Sequence, residues 1–180
     1  MIPLLTLLFL AGEPAGAQIA PMKVPATNRQ MSRVSASVLT PLEMSFNDRL
    51  STMFDRNEPA DLLGNTRGVY IQGFGAVFTT EMSLVLTPAA TPFRGKITKE
   101  FAESIRQKKI QRLPFLKSAM KEMMHNMAAA FSQAPEDHQM VLVVRFYYEP
   151  WEDMTAMPSQ VLMRAPRKDA LAGNVQVEEQ

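Results

Sequence analysis

The sequence predicts an α+β domain: a four-stranded, mainly antiparallel sheet of two hairpins, with a long kinked helix and an N-terminal helix packed on one face. Three observations carry this expectation. Apolar residues between Thr98 and Ser132 recur at steps of three and four, the helical period. Val69 to Leu86 and Met140 to Tyr148 are rich instead in the β-branched and aromatic residues that suit a pleated, half-buried surface. The order along the chain is then helix, two strands, long helix, two strands, which one helical layer on one sheet can satisfy.

The chain opens on an apolar run, Ile2 to Leu10, closed by Ala11, Gly12 and Pro14 and followed by Ala15-Gly16-Ala17. This is the apolar core and small-residue cleavage pattern of a secretory signal, expected over residues 1–17. The run would reach only ~14 Å as a helix, against a hydrocarbon core of ~30 Å, so no transmembrane anchor is expected. No Lys or Arg precedes it, which leaves open a true start upstream of Met1. The predicted location is exported, periplasmic or extracellular. Residues 18–38 mix Ala, Pro, Ser, Gln and Met without periodicity and predict a flexible leader.

A single domain is expected over 39–173. Thr40-Pro41-Leu42-Glu43 predicts a helix start: Thr40 can cap, Pro41 suits the first helical position, and Glu43 can close a capping box. Leu42, Phe46, Leu50, Met53 and Phe54 follow on one face, and Pro59 ends the element. In the first β region, Gly73 can take positive φ and predicts a two-residue hairpin turn at Gly73-Phe74, with a glycine bulge as the competing reading. Pro88 and Pro92 bound the next loop. The long helical pattern contains Pro114, which predicts two segments, 98–110 and 113–132. Met140 to Tyr148 is apolar almost without interruption, as expected of a central strand covered on both faces. A polar loop around Trp151 and a partner strand at 160–165 complete the sheet. The polar tail 174–180 is expected to be disordered. The helix–sheet core is expected to draw on Phe101, Ile105, Met120, Met127, Val141, Val143 and Phe146.

Composition narrows function. A net charge of +1 disfavours a dedicated nucleic-acid binder. The absence of cysteine excludes disulfides, thiolate metal sites and cysteine nucleophiles together. Methionine is abundant, 14 of 180 residues, spread along the whole chain. On the helix, Met120, Met123, Met124 and Met127 share one side, where thioethers can hold Cu(I), yet they also continue the apolar stripe of Leu113 and Leu116. Packing is the favoured reading, and no metal or cofactor is expected. Gly73-Phe74-Gly75 begins like a dinucleotide fingerprint, but Phe78 replaces the third glycine and strand formers follow.

Only His125 and His138 are available as conventional bases, and no nucleophile elbow or zinc helix is present. The sequence therefore leans away from an enzyme, with Glu149, Glu152 and Asp153 around Trp151 as the one acidic cluster to weigh. Arg94 to Lys121 holds nine Lys or Arg residues against Glu100 and Glu103. Arg106, Lys108, Lys109 and Arg112 are the candidate binding residues on that stripe, and Trp151 is the candidate aromatic anchor. The function expected is an exported non-catalytic domain that binds a protein, a glycan or an envelope component. The alternatives are an enzyme whose site is not recognisable from sequence, or a Met-rich copper-binding periplasmic protein.

Overall fold

The computed structural model describes the backbone of residues 26–87 and 97–180, with side chains from residue 37 onward. The expected signal at 1–17, residues 18–25 of the expected leader and the loop at Pro88 to Pro92 lie outside the described residues, while 26–38 of that leader is helical. The elements run α1 (Ala26–Thr52), β1 (Asp61–Leu62), β2 (Arg67–Ile71), β3 (Gly75–Ser83), α2 (Lys99–Ala130), β4 (Gln139–Phe146), β5 (Gln160–Pro166), α3 (Arg167–Leu171) and β6 (Gln176–Glu179).

The α+β class, the long helix and the placement of helices on one face are present, and β2 with β3 and β4 with β5 form the two expected antiparallel pairs, but the sheet is larger than four strands and mixed. It has six strands in the order β1-β3-β4-β5-β6, with β2 beside β1 along the same edge of β3. β3 and β4 run parallel from Gly75↔Gln139 to Met82↔Phe146, while every other pairing is antiparallel. The physical reason is the connection. A hairpin needs a short turn, whereas a long helical crossover carries the chain back to its starting end and makes the next strand parallel.

The hairpin at Gly73 forms, with a longer turn than expected. Residues 72–74 make the turn and Phe74 N–H donates to Ile71 O at 3.0 Å. Gly73 lies at φ 78° and Gly75 at φ 137°. A Cβ on Gly75 would collide with the Gln139 backbone, so this glycine also lets β3 and β4 meet closely.

Both predicted proline boundaries give way. α1 is already helical before Thr40 and carries Pro41 inside it. α2 runs unbroken through Pro114 for 32 residues, with Thr98 as the cap accepting from Phe101 N–H at 3.2 Å. Pro41 and Pro114 are both solvent-exposed, so each missing hydrogen bond falls on the outer side, where water can satisfy the freed carbonyl. The ~48 Å of α2 is accommodated because its N-terminal part is clothed by loops as well as by strands.

The tail also differs from expectation: 176–179 is an edge strand. Gly173, at φ 80°, closes α3 and Asn174 N–H donates to Asp169 O at 2.8 Å, turning the chain back. Gln160 and Gln180 then exchange backbone hydrogen bonds at 3.2 Å in each direction.

The core lies between the helices and one face of the sheet. β3 contributes Ala76, Phe78 and Met82, β4 contributes Met140, Leu142, Val144 and Phe146, and β5 contributes Val161, Met163 and Ala165. Leu42, Phe46 and Leu50 of α1 and Leu116, Met120, Met123, Met124 and Met127 of α2 close over them. Phe46 meets Phe78 edge-on, with centroids 5.1 Å apart. Side chains alternate along a strand, so Val141 and Val143 cannot share a face with Phe146. The expected core set is corrected accordingly: Val141 and Val143 face away from the helices, and Phe101 lies outside the core, 38% exposed.

Candidate functional site

α2 places its cations in reach of the loops that follow α1, β3 and β4. Arg106 donates to Thr155 O from Nε at 3.2 Å and from Nη2 at 2.9 Å, and lies 3.8 Å from an Asp153 oxygen. Lys108 pairs with Glu58 at 2.6 Å. Arg112 donates to Leu84 O and Glu58 O, both at 2.7 Å, with its guanidinium 4.4 Å from the Phe54 ring centroid. Lys109 is the most enclosed. Its ammonium meets Glu152 at 2.6 Å, with side chains only 2% and 4% exposed, and sits 4.7 Å over the Tyr148 ring. Glu152 in turn accepts from Glu149 N–H at 3.0 Å, so both carboxylate oxygens are occupied.

Electrostatics follow from this enclosure. Burial pushes the Lys109 ammonium below its ordinary pKa, and the hydrogen bond and charge of Glu152 oppose that shift. Burial and the nearby Glu152 charge push the Tyr148 phenol well above its usual range. The Lys108 hydrogen bond holds Glu58 below the ordinary carboxylate range, and the Thr155 hydroxyl does the same for Asp153. Trp151 is half-buried, its ring 5.8 Å from Phe101, and its indole N–H is enclosed without a partner. The structure thus brings Arg106, Lys108, Lys109, Arg112 and Trp151 to one end of the molecule. Each of the four cations is engaged with a carboxylate or carbonyl of its own chain.

His138 lies at the opposite end of β4 from Glu149, Glu152 and Asp153, one strand of ~26 Å away. Its Nδ1 is 2.7 Å from the Tyr70 hydroxyl, and Tyr70 stacks on Phe131. His125 faces the C-terminus of α3, with Nδ1 3.1 Å from Leu171 O. Met120, Met123, Met124 and Met127 are fully enclosed in the core, where their sulfurs continue the apolar stripe. Among the described residues, no cluster of three or more His, Asp or Glu side chains is arranged to hold a metal ion. No helix among the described residues is long and apolar enough to cross a membrane.

Among the described residues, no helix covers the other face of the sheet. Register places Val69, Val77 and Val141 side by side across β2, β3 and β4, with Arg164 and Gln176 completing the row. The next row holds Arg67, Thr79, Val143, Leu162 and Glu178. Ile71 and the turn residue Phe74 extend the apolar area at one end. Val69, Ile71 and Phe74 are 51%, 46% and 43% exposed. A shallow groove of about 410 Å³ borders it, lined by Phe74, Gln139, Val141, Arg164 and Pro166 among others. None of these residues was singled out from sequence as part of a binding surface. The signal was present nonetheless: β4 is apolar on both faces while only one layer of helices is available to cover it.

Comparison with family models, with characterised proteins and with solved structures finds no match.

Proposed function

We propose that this chain is an exported, non-catalytic domain that binds a protein partner through the uncovered face of its sheet. The observation that carries the reading is the continuous apolar surface of Val69, Ile71, Val77, Val141, Val143 and Leu162 on a sheet whose other face is fully packed. Contiguous apolar patches of this kind, rimmed by polar residues, mark interaction sites in otherwise water-facing domains. Branched aliphatic side chains suit a protein surface better than the hydroxyls of a glycan. The basic helix supports binding less well than the sequence alone suggested, because its cations already hold the loops in place. Export rests on the apolar run Ile2 to Leu10 with Ala15-Gly16-Ala17. The separation of His138 from the Glu149, Glu152 and Asp153 carboxylates supports a non-catalytic role.

A photo-crosslinking residue at Val69, compared with one at exposed Lys121 on α2, tests this in the native host. A discrete adduct from position 69 and none from 121 is the expected result. Equal labelling from both positions, or none from 69, overturns the reading.

A further inference from the structure

We infer that the occupant of the uncovered face is the same face of a second copy of this chain, so that two sheets stack with their helices outward. This names the partner of the surface proposed above and rests on that reading.

Size is the first argument. The face is five strand positions wide, and β4 is eight residues long. At ~4.8 Å between strands and ~3.3 Å per residue, it covers about 600 Å² before side-chain relief is counted. Specific interfaces bury ~1,200–2,000 Å² in total, and two such faces laid together reach the lower end of that range. Sheets stacked in this way sit ~10 Å apart and interdigitate their inner side chains, and β-branched residues fill that layer well.

Charge is the second argument. The charged side chains on the face are Asp61, Arg67, Glu81, Arg145, Arg164 and Glu178. Glu81 is the register neighbour of Arg145, and Arg164 pairs with Glu178 at 3.0 Å. Signs therefore alternate and nearly cancel within the face. A twofold interface brings a surface against itself, and a surface dominated by one sign would repel its mate. This face avoids that repulsion, and it offers no net field to attract an anionic lipid or nucleic acid.

Position is the third. β4 is the middle strand, with two strand positions on either side, so Val141 and Val143 lie close to any twofold axis through the face. They meet their own mates at the centre, where water is excluded, while Arg67 and Glu178 remain at the rim. Edge-to-edge pairing is a poorer route. On the β2 side, Glu43 of α1 accepts from Gly68 N–H and Asn47 accepts from Thr66 N–H, both at 2.7 Å, occupying donors that a neighbouring strand would need. The β6 edge carries Glu178 and Glu179, which a twofold pairing would bring together.

The test uses the absence of cysteine. Val143→Cys supplies one thiol per chain and Lys121→Cys supplies a control on the helical side. Light scattering across a concentration series should give the wild type twice the mass of one chain. Val143→Arg should halve that mass while keeping the circular dichroism and cooperative unfolding of a folded domain. A short bismaleimide should link Val143→Cys chains into dimers and leave Lys121→Cys chains single. If Val143→Arg fails to fold, the bismaleimide result decides. A wild type that stays monomeric throughout, or a dimer in which position 143 does not crosslink, overturns the inference. Should the Val69 photo-crosslink then yield an adduct with a different protein, the face remains the binding surface and only its occupant is revised. No adduct at all removes both.

Discussion

Lys109 is the residue whose role changed most between sequence and structure. In the sequence it is one of a run of cations on a helix, and a solvated face is the ordinary outcome. In the fold it is enclosed with Glu152 beneath the Tyr148 ring. Removing one member of such a pair leaves an uncompensated buried charge, at a cost of ~3–5 kcal/mol, whereas replacing both with apolar residues is often neutral. Lys109→Met should therefore lower the denaturant midpoint sharply, and Lys109→Met with Glu152→Leu should recover most of the loss. If the double variant falls as far as the single, the ion pair itself is the stabilising contact. Phe146 and Lys108 give a second contrast. Phe146 packs in the core and Lys108 forms an exposed pair with Glu58. Phe146→Ala should cost ~3–5 kcal/mol, and Lys108→Ala less than ~1, as an exposed pair usually does. Chemical denaturation of the two variants checks the assignment of faces.

At the scale of elements, the edge of β2 shows how α1 does more than cover the core. Glu43 and Asn47 stand in for a missing neighbour strand by accepting the outward N–H groups of Gly68 and Thr66. The sequence placed Glu43 at a helix start, but it lies inside α1 and its partner is 25 residues away, which no local pattern reveals. Glu43→Ala should destabilise by roughly 1–3 kcal/mol, because a charge-assisted bond is lost and a partly buried donor is left open. Faster hydrogen exchange at Gly68 is the direct readout, and unchanged exchange there would remove Glu43 from the role. The strands themselves were legible where they were long. β1, α3 and β6 were not, being short elements whose stability comes from pairing and docking rather than from propensity.

For the whole molecule, loops at one end are fastened to α2 by carboxylates that titrate in acid. Glu58 and Asp153 have folded pKa values below their ordinary ones. A depressed carboxylate contributes stability that is fully present above its unfolded value, ~4, and is lost as pH falls through the folded value. The thermal midpoint should therefore hold from neutral pH to about pH 5 and decline below ~4. Glu58→Gln and Asp153→Asn together should flatten that acid decline and lower the neutral midpoint towards the acid value, because the stability lost in acid is what the two carboxylates contribute at neutral pH. A decline of equal steepness in the double variant would place the acid sensitivity elsewhere.

The sequence alone determined the α+β class, the long helical stretch after Thr98, the glycine turn at 73, the strands at the centre of the sheet and the chain's freedom from cysteine chemistry. These are local matters: period, capping and conformational freedom act within a few residues. Tertiary structure alone decided that β4 runs parallel to β3, that Pro41 and Pro114 sit harmlessly inside helices, that the tail pairs with β5, and that the basic stripe is spent on the molecule's own loops. It also decided which face of the sheet the described helices cover. Each of those depends on what a distant segment does with the same hydrogen-bonding groups and apolar surface, and one strand's pattern cannot say how many layers will arrive to cover it.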